Sequence, residues 1–127
     1  MILCYPVITS GEFGHKRSFE QLLGGKAGDP RLRELVSLEL QTGPHTPRTL
    51  LWHTWTDQSV PAENSLLLAQ ALKKAGVSLE MHIYPSGCHG LSLATEEVSD
   101  STGDCLVPHC QGWMELVKEW IKEKDRE

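Results

Sequence analysis

The sequence predicts an α/β fold built on a parallel sheet, and three observations lead to that prediction. Three short, mostly apolar runs have the length of strands, and stretches with a helical spacing of apolar residues lie between them. A polar loop directly follows the second and third of these runs. Because strands separated by helices need crossover connections, we expect the strands to lie parallel. Ligands and catalytic groups gather at the carboxyl ends of such strands.

The first predicted strand is Ile2–Ile8, a nearly continuous apolar run that is typical of a strand buried on both faces of a parallel sheet. Residues 9–14 contain two glycines and therefore predict a loop. A short helix is expected over Ser18–Leu23, where Gly24 and Gly25 end it.

A second helix is predicted to begin at Asp29 and Pro30, which fit an N-cap followed by proline at the first helical position. We expect it to end near Leu38. Thr46-Pro47 interrupts the pattern, and the apolar stretch Arg48–Thr54 then predicts a second buried strand.

A third helix is predicted over Ala62–Ala75, with Pro61 at its start and Gly76 at its end. Val77–Tyr84 alternates polar and apolar residues well enough to predict the third strand. From Val107 onward the sequence predicts an amphipathic closing helix. Its apolar positions are Trp113, Leu116, Val117, Trp120 and Ile121.

Composition limits the partners that this chain is expected to have. A length of 127 residues predicts one domain with one core. The net charge of -5 and the absence of a lysine or arginine cluster argue against a nucleic-acid surface or an anionic membrane as partner. No stretch resembles a signal peptide or a membrane span, so we expect a soluble, cytoplasmic protein.

The four cysteines are expected to be thiols, because they lack regular spacing and the chain is long enough to have a workable core. They are Cys4, Cys88, Cys105 and Cys110. The stretch from Cys105 to Cys110 does not predict a metal site, since its spacing matches no common zinc pattern and a second ligand pair is missing.

Asp57 and His89 are the candidate catalytic pair, because each follows a predicted strand directly. If the two strands are parallel neighbours, their loops meet at one edge of the sheet. A carboxylate beside an imidazole fixes the tautomer of the ring and stabilises its protonated form, as a general base requires. The alternative reading of Asp57 is a cap or turn residue, and that of His89 is an ordinary loop residue. His53, inside a strand, is expected to be a satisfied core histidine.

The segment Leu51–Thr95 resembles the acid and histidine region of α/β-hydrolase esterases, in particular the acetyl esterases, acetyl xylan esterases and related prolyl-oligopeptidase-like hydrolases. In that family the pattern Asp-x-x-Val-Pro marks the acid of the catalytic triad, and it matches Asp57 here. The pattern Gly-x-His-Gly marks the base and matches His89. The opening LCYPVIT, the LLGG segment and the closing tryptophan-bearing helix also resemble the family.

The resemblance implies a serine-type carboxylic ester hydrolase, either an acetyl esterase or a deacetylase of carbohydrates. A serine attacks the acyl carbonyl, His89 moves its proton to the leaving alcohol, and Asp57 orients His89. This chemistry needs no metal and no organic cofactor. The implied substrate is a small ester or an acetylated carbohydrate.

The sequence departs from the family in two respects, because it contains neither a Gly-x-Ser-x-Gly elbow nor a glycine-rich oxyanion segment. We therefore expect residues 1–127 to form a single partial domain, the C-terminal portion of an α/β-hydrolase with about three strands and flanking helices. Ser10, Ser86 and Cys88 are the local candidates for a substitute nucleophile, but none occupies an elbow pattern.

Two hypotheses remain open at this point. The chain carries the acid and base of an esterase whose nucleophile is missing here, or it is an inactive truncated fragment or half-domain that needs a partner chain. The resemblance also implies that the first strand lacks a neighbour along one edge, so we expect self-association through that edge. Residues 96–108 are polar and unpatterned, and the sequence assigns them no role beyond a loop.

Overall fold

The structure is a computed structural model, and it describes residues 1–123. The elements in chain order are β1 (Ile2–Cys4), α1 (Lys16–Leu23), α2 (Pro30–Leu35), α3 (Leu38–Gln41), β2 (Thr49–Thr54), α4 (Glu63–Lys74), β3 (Leu79–Tyr84) and α5 (Trp113–Lys122). Short 3₁₀ turns occupy Gly24–Lys26 and Pro108–Cys110. Strands and helices alternate as the sequence predicts.

The three strands form one parallel sheet in the order β1-β2-β3. The central strand β2 is buried at every residue. In the register, Cys4 of β1 pairs with Trp52, and Thr54 pairs with Tyr84 of β3. The carboxyl ends of the strands therefore lie along one edge of the sheet, and the loops after β2 and β3 leave it side by side.

The first strand is shorter than predicted and ends at Cys4 instead of Ile8. Tyr5 has a φ of 39°, which lies outside the region that a strand requires, and Pro6 has no N–H to donate to a neighbour. Apolar character alone predicted the longer strand, because it does not report backbone torsion.

The predicted second helix, α2, ends at Leu35 instead of near Leu38, and a separate short helix, α3, follows it after a break at Val36 and Ser37. The Ser37 hydroxyl donates to the carbonyl of Arg33 and its oxygen accepts from the amide of Ser10, so a buried side chain competes with the helical hydrogen bonds.

The third strand begins later than predicted, at Leu79, because Val77 still donates to the carbonyl of Leu72. The closing helix likewise begins at Trp113, after the 3₁₀ turn.

The core has two parts, one on each face of the sheet. Helix α5 packs against one face, where its tryptophans and Val117 meet Leu50 and Trp52 of β2. Helix α4 packs against the other face, where Leu68 and Leu72 meet Ile8. The central strand is thus covered by a helix on both sides, which places the loops that follow it on a rigid base.

Within residues 1–123, no helix has the length and apolar character needed to cross a membrane. The cytoplasmic location that the sequence suggested stays a prediction.

Candidate functional site

The loops that follow β2 and β3 are joined at the carboxyl edge of the sheet. Trp55 donates its amide to the carbonyl of Tyr84, which extends the strand pairing by one residue. The hydroxyl of Thr54 donates to the carbonyl of Gly87 at 2.9 Å, and the amide of Gly87 donates to the hydroxyl oxygen of Thr56 at 3.1 Å. These bonds hold the two loops in one position relative to each other.

Gly87 is required by the closeness of this contact. A Cβ at position 87 would lie 2.6 Å from Cδ1 of Leu91 and 2.9 Å from Cγ2 of Thr54. Residues other than glycine also rarely adopt its backbone φ of 152°. The glycine therefore lets the loop after β3 approach β2 closely enough for the side chain two residues later to reach the loop after β2.

Asp57 forms the centre of a turn after β2. Its Oδ1 accepts hydrogen bonds from the amides of Ser59 and Val60, each at 2.9 Å. The carboxylate is fully buried. A buried carboxylate costs free energy unless it is hydrogen-bonded, and these two backbone donors meet that requirement while fixing the direction of the other oxygen.

His89 reaches that other oxygen. Its Nδ1 lies 2.7 Å from Oδ2 of Asp57, at a residue separation of 32 along the chain. Asp57 accepts this bond as a carboxylate, so Nδ1 carries the proton and Nε2 presents a lone pair. The side chain of His89 is one-third exposed, whereas that of Asp57 is buried. The pair therefore has a protected acid and an accessible base.

Tyr5 packs against the imidazole of His89. The two rings meet edge to face, with their centroids 5.1 Å apart. Tyr5 makes the same kind of contact with Trp52 on its other side, and its hydroxyl oxygen accepts from the amide of Ser92 at 3.3 Å. Tyr5 is also the residue whose positive φ ends β1. This tyrosine limits the movement of the His89 ring.

His53 lies behind the pair, fully buried in β2. Its Nδ1 is 2.6 Å from Oγ of Ser65, and its Nε2 is 2.8 Å from the carbonyl oxygen of Val60. Nε2 also lies 3.3 Å from Oδ2 of Asp57. Burial lowers the pKa of the His53 imidazole below its ordinary value of 6.5, against smaller opposing effects of the Val60 carbonyl and Asp57. His53 is the satisfied core histidine that the sequence predicts, but it also touches the candidate site.

The expectation of four thiols is wrong for two of the cysteines. Cys88 and Cys105 form a disulfide, which ties the residue before His89 to the segment 96–108. The sequence suggested no pairing because 17 positions separate the two cysteines and only the folded chain brings them together. Cys4 and Cys110 are free, and burial raises the pKa of both thiols, which disfavours their thiolate forms.

The structure removes two of the three substitute nucleophiles that the sequence offered. The Ser10 side chain is buried, and its hydroxyl is hydrogen-bonded to the carbonyl of Arg33 and to Ser37 Oγ. Cys88 is bound in the disulfide and has no thiol to ionise. The side chain of Ser86 makes no hydrogen bond to another described residue within the range 1–123. The candidate site thus contains an acid and a base, while a nucleophile positioned against His89 is missing from the described chain.

Within residues 1–123, no three histidine, cysteine, aspartate or glutamate side chains are grouped so that they could hold a metal ion.

Sequence reasoning missed Tyr5 and the disulfide, and it missed the contact of His53 with Asp57. For His53 a signal existed, because His53 lies near the end of β2 and Asp57 follows four residues later, in the loop after that strand. Tyr5 offered no such signal, since a contact between residues 5 and 89 depends on the sheet register.

Comparisons with known proteins agree with the fold. The family model described as the prolyl oligopeptidase family matches residues 31–104. Endo-1,4-beta-xylanase B of Butyrivibrio fibrisolvens is 41% identical over 97 residues, and an acetylxylan esterase of Xylanibacter ruminicola is 36% identical over 99 residues. These matches cover 76% and 74% of the present chain, which spans only 15% and 20% of the length of those two relatives.

Solved structures resemble almost the whole chain. An acetyl ester-xyloside bifunctional hydrolase from Caldicellulosiruptor lactoaceticus matches with 44% identity and a TM-score of 0.82, over 95% of this chain and 40% of its own. A carboxylesterase from Lactobacillus plantarum matches with 28% identity and a TM-score of 0.76, over 95% of this chain and 42% of its own. The predicted fold class is confirmed: the chain has the C-terminal portion of an α/β-hydrolase fold.

Proposed function

Because the chain belongs to the prolyl oligopeptidase family of α/β-hydrolases, we propose that Asp57 and His89 are the acid and base of a serine-type carboxylic ester hydrolase. The observation that carries this proposal is the 2.7 Å contact between Nδ1 of His89 and Oδ2 of Asp57. It leaves Nε2 as the atom that can take a proton. The relatives named as an acetylxylan esterase and as an acetyl ester-xyloside hydrolase favour acetylated carbohydrate as the substrate.

The geometry suits each proton transfer of acyl transfer. Nε2 of His89 removes the proton from a serine hydroxyl as that oxygen bonds to the acyl carbon. The imidazolium that forms is stabilised by the carboxylate of Asp57, and its Nε2 proton then goes to the departing alcohol oxygen. In the second half of the reaction, His89 takes a proton from water as the water oxygen bonds to the acyl carbon. The bond to the serine oxygen then breaks, which releases acetate and the free serine. The reaction uses no redox step and requires no metal.

We expect the serine to come from polypeptide other than these 127 residues, because the sequence has no nucleophile elbow. The chain alone is therefore expected to hydrolyse 4-nitrophenyl acetate at the same background rate as its His89→Ala variant. Turnover that the variant abolishes would instead place a nucleophile within the chain or an oligomer of it.

A chimaera supplies the missing part. In the Caldicellulosiruptor hydrolase, the segment that this chain matches is replaced by residues 1–127, so that the uncovered part of that enzyme completes the domain. We expect the chimaera to release acetate from 4-nitrophenyl acetate and from acetylated xylan. His89→Ala and Asp57→Ala should abolish release, whereas His45→Ala, which removes an exposed histidine, should leave it unchanged. A folded chimaera whose activity survives His89→Ala would refute the assignment of the base.

The alternative function is that of a half-domain which associates with another chain, and the open edge of the sheet favours it. Among the described residues, β1 pairs only with β2, so its other side carries unpaired backbone groups. Met1, Ile2 and Leu38 are exposed beside this edge, next to an apolar cavity of about 280 Å³ that Leu3 and Leu38 help to line. Exposed apolar edges of this kind pair with other chains.

Self-association through this edge has a direct test. We expect light scattering of the 127-residue chain to give a mass that rises with protein concentration. Ile2→Lys places a charge at the edge and should lower that mass, whereas Leu106→Lys, at an exposed apolar position in the 96–108 loop, should not. A monomer at high concentration would contradict the proposal.

A further inference from the structure

Within residues 1–123, Asp57 is touched by two histidines, the partly exposed His89 and the buried His53. Its ring has no exposed surface, and each nitrogen has a polar neighbour at hydrogen-bond distance. Nε2 lies between the carbonyl oxygen of Val60, at 2.8 Å, and Oδ2 of Asp57, at 3.3 Å. This places an imidazole against the same carboxylate oxygen that His89 uses.

The neighbours of His53 determine its tautomer. A backbone carbonyl can only accept, so the bond to Val60 requires that Nε2 carries the hydrogen. Nδ1 is then a lone pair, and the hydroxyl of Ser65 donates to it at 2.6 Å. Burial favours the neutral ring, which lowers the pKa of His53. At neutral pH the ring is therefore an uncharged donor whose N–H points toward Val60 and Asp57.

The position of this donor affects Asp57 in two ways. Val60 closes the turn that begins at Asp57, because its amide donates to Oδ1, and His53 holds the carbonyl of the same residue. The Nε2–H group also lies 3.3 Å from Oδ2, close enough for its dipole to attract that oxygen while its hydrogen bond goes to the carbonyl of Val60. The hydrogen bond to Oδ2 itself comes from Nδ1 of His89.

The neutrality of His53 matters for the chemistry. A lysine or arginine at this place would pair with Asp57 and weaken its attraction for the imidazolium that forms on His89. A neutral N–H orients the carboxylate and leaves its charge available to His89. This is a different role from that of a histidine that only fills the core.

We propose that His53 is a positioning residue, which orients the carboxylate of Asp57 and thereby holds His89 in the tautomer that carries its hydrogen on Nδ1. The inference rests on the proposed function for its catalytic meaning. The positioning itself is a property of the 127-residue chain and can be measured without any hydrolysis.

The experiment uses ¹⁵N NMR of the histidine rings in the 127-residue chain at neutral pH. The signals are assigned by their loss in His53→Gln and His89→Ala. In the wild-type protein we expect His53 to be neutral with its hydrogen on Nε2, and His89 to show the Nδ1–H form with a low-field proton signal. A cationic His53, or one with its hydrogen on Nδ1, would overturn the proposal without any variant.

Two variants then separate positioning from packing. His53→Phe has a similar shape and no donor, and it should shift His89 toward the tautomer mixture of a free histidine, with loss of the low-field signal. His53→Gln keeps an amide N–H that can reach the Val60 carbonyl, and it should restore most of the Nδ1–H form. Leu72→Ala is the packing control, because it removes a fully buried side chain from α4, which covers the same face of the sheet as His53, in the cluster that Leu72 forms with Ile8 and Leu68.

The outcomes are distinct. An unchanged His89 signal in folded His53→Phe, or an equal change in Leu72→Ala, would show that His53 only fills the core. If His53→Phe does not fold, a Gln variant that loses the Nδ1–H form would overturn the proposal, and one that keeps it would support it. An inactive chimaera would refute the proposed function and leave these NMR results untouched.

Discussion

Removal of the disulfide between Cys88 and Cys105 is expected to destabilise the protein by about 3 kcal/mol at 25 °C. The bond closes a loop with a sequence separation of 17. In the chain-entropy description, cross-linking a loop of roughly this size removes about 10 cal/mol/K from the unfolded chain, or about 3 kcal/mol. For a domain with a total stability of roughly 5–15 kcal/mol, this is a large fraction.

The assay is equilibrium unfolding in urea of the oxidised protein, the reduced protein and Cys105→Ser. Reduction and substitution should lower the free energy of unfolding by similar amounts. Cys4→Ser removes a free, partly buried thiol, so it is the matched control for the loss of one sulfur. Thiol titration in denaturant should give two thiols in the oxidised protein and four after reduction.

The native contacts of the His89 loop should survive this change. Gly87 remains bonded to Thr54, and the Leu91 side chain stays buried in the core. The indole of Trp113 also donates to the carbonyl of Ser92 at 2.8 Å. The lost stability should therefore come from the larger conformational entropy of the unfolded chain. In the folded protein, His89 should keep its contact with Asp57. Four thiols before reduction, or a change below about 1 kcal/mol, would refute this reasoning.

Three further predictions concern the site. Asp57→Ala leaves the buried amide of Val60 and the part-buried amide of Ser59 without an acceptor, and it should cost about 1–3 kcal/mol in urea unfolding. Gln58→Ala, at an exposed neighbouring position, should cost less than about 0.5 kcal/mol. Gly87→Ala should cost more than Gly76→Ala in the same assay, because only the former puts a Cβ within 3 Å of other side chains; equal losses would contradict the contact argument. The pKa of His53 is lowered in the folded state, so below pH 6.5 the unfolded chain binds a proton that the folded chain does not. The free energy of unfolding should therefore fall as the pH drops from 6.5 toward the folded pKa, by up to about 1.4 kcal/mol per pH unit. If the free energy of unfolding of His53→Gln has the same slope against pH, His53 is not the cause.

The positions of strands and helices were predictable where local patterns decide them. Apolar runs identified β2 and β3 to within two residues, and Asp29 with Pro30 marked the start of α2, where the aspartate accepts from the amide of Arg31. Boundaries set by distant contacts were not predictable. The break at Ser37 depends on Ser10, which lies 27 residues earlier and meets it only in the folded chain.

The candidate site was likewise predictable only in part. The order of strand, loop and helix placed Asp57 and His89 in adjacent loops, because parallel neighbours bring their carboxyl ends to one edge of a sheet. The sequence could not predict the distance between Asp57 and His89 or the side chains that contact them. Tyr5 reaches His89 from the end of β1, and His53 lies beside Asp57 because it bonds to Val60, which closes the turn.

The sequence by itself determined the alternation of strands and helices, the two loops that carry Asp57 and His89, and the absence of a nucleophile elbow. These are local properties, because hydrophobic spacing and turn residues act over a few positions along the chain. Only the tertiary structure decided that Cys88 pairs with Cys105, that Tyr5 packs on His89, and that His53 lies against Asp57. The first two contacts join side chains that are far apart in sequence, so they depend on sheet register and on backbone torsion at single residues. The third joins residues only four positions apart, but it depends on the turn that Val60 closes after β2.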